Sequence, residues 1–261
     1  MATNQTLVPG AMRRRREQRH FDHLARTHGE TWWGHRRPAG RVRLARKAAM
    51  LCTRLDRLDD PRVLEIGCGT GVFTRAILDR CPALRIVAMD ISPDSVALAR
   101  SRCAGFDNLR VHAADVFEWD DPDGAYDAVV GNSVLHHLCL DPVLSRALAL
   151  LAPGGMLWFS EPNMLNPQIA AERHLRRVGR WLDNSEDETA FIRWRIGRAL
   201  HRAGFVGVEV RPFDFLHPLS PRFAIPLVDR LGRSMERWPL MRELAGSLCI
   251  VAHKPGGDSP A

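Results

Sequence analysis

Apolar and polar positions alternate in two regimes along the chain. Up to about residue 60 the period is helical: Leu44, Ala48, Leu51, Leu55 and Leu58 recur every three or four residues, while Arg43, Arg46, Arg54 and Arg57 fall elsewhere, predicting helices over roughly 13–28 and 41–58. From Arg62 onward short apolar runs alternate with helical stretches. The runs are Val63–Ile66, Arg85–Met89, Leu109–His112, Tyr126–Val130, Met156–Ser160, Val206–Val210 and Ser247–Ala252, and helices are expected near 71–81, 93–104, 141–151, 168–182 and 187–203. Parallel neighbours need a crossover connection, so this alternation predicts a doubly wound α/β sheet covered on both faces. A Pro-punctuated insert, 212–246, precedes the last strand, with Leu227, Leu231, Met235 and Trp238 at helical spacing. The expected organisation is a helical arm and cap over 1–60 and an α/β domain over 61–261.

The chemistry concentrates where the first strand ends. Val63-Leu64-Glu65-Ile66-Gly67-Cys68-Gly69-Thr70-Gly71 runs from a strand straight into a glycine-rich turn that opens a helix. Glycines at alternate positions let the backbone bend sharply and a ligand approach closely, the mark of a nucleotide-type site. Asp90, nineteen residues after Gly71 at the end of the next strand, is placed to accept the hydroxyls of a ribose. NAD is the natural competitor for such a site. Its fingerprint, however, is Gly-x-Gly-x-x-Gly, whereas the spacing here is Gly-x-Gly-x-Gly, and Glu65 two residues before the first glycine suits an ammonium better than a pyrophosphate.

With Asp90, Ala114-Asp115-Val116, the segment Tyr126 to Leu138 and Leu151-Ala152-Pro153-Gly154-Gly155 in order after it, the glycine turn resembles the class I S-adenosylmethionine-dependent methyltransferases over about residues 61–161. That resemblance implies a Rossmann-like seven-stranded sheet, order 3-2-1-4-5-7-6, with the last strand antiparallel. It implies S-adenosyl-L-methionine as cofactor, bound by Gly67, Gly69 and Gly71, with the ribose on Asp90 beside Ile91, the adenine by Asp115 and Val116, and the methionine end near Glu65 and Asn132. It further implies an enzyme that moves a methyl group from sulfonium to a nucleophile, and that makes Leu151 to Gly155 the turn before the fifth strand.

Three residues are candidates for handling the acceptor. His136 and His137 follow the fourth strand, where a neutral imidazole can take a proton from a hydroxyl; adjacent residues point apart, so one of them at most is expected to do so. Glu161, at the end of the fifth strand, either orients a histidine or meets substrate. Asn163 and Asn166 read as turn and cap residues. Trp32 and Trp33 either roof the cofactor or anchor the arm, and the insert, a mix of apolar residues and arginines, reads as a substrate lid, a contact for a lipid-linked acceptor, a dimer surface or packing against the sheet.

Charge narrows the partners. Lys+Arg number 37 against 30 Asp+Glu, yet residues 1–60 hold 14 against 6, so the excess belongs to the arm. Arg13 to Arg16 read first as a solvated helix face, second as a contact for an anionic membrane surface. Nucleic acid is not expected, because the remainder is nearly neutral and Gly131-Asn132-Ser133-Val134 stands where base methyltransferases carry an Asn/Asp-Pro-Pro-Tyr type motif. Only two lysines, Lys47 and Lys254, accompany 35 arginines, a compositional bias from which no function is drawn. Six scattered cysteines without a Cys-x-x-Cys pair, no clustered metal ligands and no apolar stretch after the arginine run predict a reduced cytoplasmic protein without a metal. The expected function is methyl transfer to a small molecule, such as a natural product or sugar, at oxygen first, with nitrogen and carbon acceptors left open. A lipid- or glycan-linked acceptor at the membrane surface, a homodimer, and a non-catalytic nucleoside-binding partner subunit are the alternatives.

Overall fold

The computed structural model describes residues 11–28, 37–121, 123–174 and 190–257; Trp32, Trp33 and the distal part of the helix expected over 168–182 lie outside them. Seven strands, β1 (Arg62–Ile66), β2 (Arg85–Asp90), β3 (Leu109–Ala113), β4 (Tyr126–Asn132), β5 (Leu151–Pro162), β6 (Val206–Phe213) and β7 (Ser247–His253), form one sheet in the order β3-β2-β1-β4-β5-β7-β6. Strands β1 to β5 pair in parallel, and β7 runs antiparallel between β5 and β6. The order and the reversed strand are those the resemblance implies.

Successive residues of a strand face opposite sides, which is why the central strands are apolar throughout. Val63, Ala88, Val130 and Trp158 pack against α2 (Pro38–Leu55), α3 (Val72–Leu78) and α4 (Pro93–Arg102). Leu64, Val87, Val129 and Phe159 pack on the other side against α5 (Leu140–Leu150) and α7 (Arg193–Arg202). In α2 the expected stripe holds through Leu44, Ala48, Leu51 and Leu55, all buried, but the helix stops at Leu55 and Leu58 is left exposed. Local chemistry sets other boundaries. The Ser92 hydroxyl accepts from the Ser95 amide at 3.1 Å and Pro93 opens α4, while Asn166 accepts from the Gln168 and Ile169 amides, both at 3.1 Å, to cap α6 (Pro167–His174).

Two boundaries differ from expectation. Leu151 already pairs with Tyr126, so Ala152 to Gly155 form an irregularity inside β5 rather than a turn before it, with Gly154 at φ 75° and the Leu151 carbonyl accepting from Lys254 Nζ at 2.6 Å. Strand β6 runs through Phe213, which pairs with Ser247, so the insert begins at Asp214. Its main element is α8 (Ile225–Met235), between 3-10 turns at Arg222–Ala224 and Met241–Leu244. Helix α1 (Ala11–His28) lies against α4. No helix among the described residues is long and apolar enough to cross a membrane.

Candidate active site

A cavity of about 750 Å³ opens at the carboxyl ends of β1, β2 and β4, walled also by α1, α2 and the first residues of the insert. The glycine turn forms its floor. Gly69 has φ +53°, and a Cβ there would meet nothing within 4 Å, so its face is open space along the cavity. Gly71, at φ +76°, starts α3; a Cβ on it would stand 2.9 Å from Ala99, so this glycine permits the close approach of α4 and does not itself line the cavity.

Asp90 is fixed by two backbone amides, Gly69 N to Oδ2 at 2.8 Å and Ser92 N to Oδ1 at 2.9 Å. Burial raises its carboxyl above the ordinary range, with those two hydrogen bonds acting against the rise. Ile91 lines the cavity beside it. Asp115 accepts the Phe117 amide at 3.0 Å and pairs with Arg14 Nε at 2.7 Å; Val116, 5% exposed, completes that end. On the far side Asn132 Oδ1 accepts from Lys47 Nζ at 2.9 Å. The geometry suits an adenosine: a fixed carboxylate on the cavity wall beside an open glycine, followed by a second acid and an apolar wall.

Glu65 is placed otherwise than expected. Its carboxylate lies behind the glycine turn, buried, and accepts the Thr74 hydroxyl at 2.7 Å instead of facing the cavity. Burial pushes it up to about 7 from 4.5, with Thr74 lowering it and Asp90 adding to the rise. A carboxyl raised in the folded chain binds a proton that the unfolded chain has released, so this group's contribution falls as pH rises from 4.5 through about 7. Between about pH 5.5 and 8 the loss amounts to roughly 2 kcal/mol. Glu65→Gln keeps an acceptor for Thr74, and urea unfolding of the variant at those two pH values is expected to lack that decline; an unchanged decline would show that Glu65 is ionised throughout.

The histidines sit in a 3-10 turn, Leu135–His137, and do not diverge as expected: their ring centroids are 4.1 Å apart. Each meets a carboxylate. His136 Nδ1 lies 2.6 Å from Glu161 Oε2, whose other oxygen accepts the Val134 and Leu135 amides at 3.0 and 2.9 Å. Glu161 is fully buried and stands behind His136 rather than on the cavity wall. His137 Nδ1 lies 3.0 Å from Glu17 Oε2 of α1, and the Phe21 ring meets its edge at 5.1 Å. The arginine run is therefore not simply a solvated face: Arg13 donates to the His136 carbonyl at 3.1 Å, Arg14 holds Asp115, and Arg15 and Arg16 are exposed. Asn163 donates to the Glu243 and Ala245 carbonyls, both at 2.8 Å, a structural role.

Sequence reasoning missed the α2 cations. Lys47, 8% exposed on the cavity wall, is lowered to about 8 by burial first and by Arg43 next. Arg43 Nε pairs with Asp214 Oδ2 at 2.6 Å, and Arg46 grips Glu236 through two bonds of 2.8 and 2.6 Å. The signal was present in the composition: Lys47 is one of only two lysines in a chain that otherwise uses arginine.

A sheet with one reversed strand, a glycine turn after β1, an acid ending β2 and another just after β3 define the Rossmann-like methyltransferase fold. Residues 64–157 match the methyltransferase domain family, and over that stretch the chain is similar to S-adenosylmethionine-dependent methyltransferases. The trans-aconitate 2-methyltransferase of Streptomyces avermitilis is 36% identical over 153 residues, 55% of this chain and 55% of that one. Its namesake in Methylobacterium radiotolerans is 33% identical over 178 residues, 67% of this chain and 63% of its own length. The chain thus spans between half and two thirds of these relatives. Among solved structures, the N-methyltransferase NodS from Bradyrhizobium japonicum, in complex with S-adenosyl-L-homocysteine, has a TM-score of 0.60 at 18% identity, covering 90% of this chain and 98% of that one, a likeness of fold.

Proposed function

We propose that the chain transfers the methyl group of S-adenosyl-L-methionine to a hydroxyl oxygen of a small molecule that also carries an anionic group. The observation that carries this reading is the buried His136–Glu161 pair at the cavity, 2.6 Å apart. When bound, the cofactor supplies an electrophilic methyl group and leaves as S-adenosyl-L-homocysteine. In this reading Asp90 accepts the ribose hydroxyls beside Ile91, the open face of Gly69 makes room for the ligand, Gly67 lets Val134 pack onto the turn, and Gly71 draws α4 up to it. Asp115 and Val116 receive the adenine, with Arg14 yielding or sharing the acid, and Asn132 receives the methionine end. Glu65 supports the turn from behind.

Methylating a hydroxyl releases a proton, and in this reading His136 takes it. With Nδ1–H donating to Glu161, the ring's lone pair lies on Nε2, and the fixed carboxylate stabilises the imidazolium that forms. His137 and Glu17 close α1 over the same loop. The anionic part of the acceptor is assigned to Lys47, whose hydrogen bond goes to a neutral amide, and to Arg37 on the same wall; neither has an ion pair among the described residues. That the relatives' names specify trans-aconitate, a carboxylic acid, agrees with an anionic acceptor without fixing its identity.

The test is release of S-adenosylhomocysteine across a panel of hydroxylated acids, with Asp90→Ala and Lys47→Met beside the parent chain. Asp90→Ala is expected to weaken cofactor binding by at least tenfold, equivalent to about 1.4 kcal/mol or more. Lys47→Met is expected to raise the acceptor KM about tenfold or more and leave cofactor Kd alone. A Kd increase in Lys47→Met with KM unchanged would assign the lysine to the methionine carboxylate, and no turnover with any acceptor while both adenosyl ligands bind would favour a non-catalytic nucleoside-binding subunit.

A further inference from the structure

Helix α8 is apolar on the side that faces water. Its inner stripe is Ile225, which packs with Ala39 and Leu216, then Val228 and Gly232, the latter seated on Phe215; Glu236 follows, held by Arg46. Leu227 and Leu231, four residues apart, fall on the opposite side and are 61% and 54% exposed, and Phe223, in the 3-10 turn before the helix, is 87% exposed. Trp238 and Leu240, just past the helix, are exposed as well. A surface helix of a globular chain normally shows polar residues outward, and an outward apolar stripe of this size marks an interaction surface.

Charge selects the partner. The acids of the segment are already used: Asp229 by Arg233 at 2.9 Å, Glu236 by Arg46, and Glu243 by Arg193 at 2.8 Å. Arg222, Arg230 and Arg237 have no ion pair among the described residues, and Arg230 lies about 60° round the helix from Leu227. An apolar stripe bordered by unneutralised arginines is the pattern of a helix that lies in the plane of an anionic bilayer surface. A second copy of the chain would bring the same positive border against this one. The stretch just before this segment, Phe215 to Leu219, lines the cavity, so the docking face follows the cavity wall along the chain.

We infer that the Arg222–Leu244 segment docks the chain on an anionic membrane surface, Phe223, Leu227 and Leu231 entering the headgroup boundary and Arg222, Arg230 and Arg237 meeting lipid phosphates. Co-sedimentation of the full chain with vesicles of phosphatidylcholine, alone or mixed with phosphatidylglycerol, tests it. Retention is expected on the mixed vesicles only, weakening with salt. Leu227→Gln with Leu231→Gln replaces exposed side chains, so the thermal transition is expected to stay while partitioning falls about tenfold or more. Arg222→Gln with Arg230→Gln and Arg237→Gln is expected to do the same without touching the apolar stripe. Equal retention of parent and both variants would place lipid contact elsewhere, on the exposed Arg15 and Arg16 for instance, and would overturn the inference. So would absence of retention, or a concentration-dependent dimer in light scattering that the leucine variant abolishes.

Discussion

His136→Gln is expected to lower kcat by about a hundred- to ten-thousandfold, the usual worth of a positioned general base, while cofactor Kd changes little. The glutamine fills similar space and keeps a group within reach of Glu161, so the fold of the Leu135–His137 turn is retained. Proton transfer is what disappears. The same reasoning separates His136 from Glu161. Glu161 is a positioning residue, since it touches His136 and two backbone amides and does not reach the cavity. Glu161→Gln removes the negative charge that favours the imidazolium, which lowers the histidine's pKa. The acidic limb of the kcat profile therefore moves to lower pH in Glu161→Gln and vanishes in His136→Gln. A merely structural glutamate would reduce kcat without moving that limb. Should His136→Gln turn over normally while His137→Ala fails, the base is His137 with Glu17, and α1 carries part of the catalytic site.

That assignment rests on residues legible at different depths. The glycine turn, Asp90 and Asp115 were readable because each lies within a few residues of a strand end, and the parallel sheet brings all such ends to one edge. The histidine turn was readable for the same reason, but its partners were not: Glu17 reaches His137 from α1, far away in sequence. Lys47 and Asn132 are 85 positions apart, and Arg46 and Glu236 are 190 apart. No local pattern registers such pairs, and the arginines of α2 look from sequence alone like the polar face of an amphipathic helix. The arginine run misled in the same way. A run of four arginines reads as a solvated helix face, whereas the loops at the strand ends offer Arg13 a carbonyl and Arg14 a carboxylate. The Pro153-Gly154-Gly155 step reads as a turn because glycine and proline punctuate loops. Pairing of Leu151 with Tyr126, and the hydrogen bond from Lys254 Nζ to the Leu151 carbonyl, absorb it into the strand.

Glu236→Ala is expected to be the most destabilising single change outside the core. Glu236 ends α8, 4% exposed in its side chain, and takes both nitrogens of Arg46 in a fork while its Oε1 also accepts the Asp214 amide at 2.8 Å. Burial works to lower the Arg46 pKa, but the Glu236 hydrogen bond and the carboxylates of Glu236, Asp214 and Asp229 raise it overall, so the guanidinium stays charged at any working pH. Truncating Glu236 leaves that charge in a site only 16% exposed, over the Phe213 ring, and orphans a buried amide at a residue already at φ 74°. Breaking one side of a buried pair in this way costs about 3–5 kcal/mol. Urea unfolding is expected to show that loss as a lower midpoint with an unchanged slope. The double variant Arg46→Met with Glu236→Leu removes the stranded charge and is expected to recover most of the stability, since buried ion pairs contribute little net against apolar residues of similar volume. The pair also bears on the site: Lys47 follows Arg46 on α2, and the insert that Glu236 anchors begins with the cavity wall Phe215 to Leu219. Glu236→Ala is therefore expected to raise the acceptor KM at temperatures where the chain is still folded. A variant that lost stability but kept KM would show that the insert's hold on α2 and its wall of the cavity are independent.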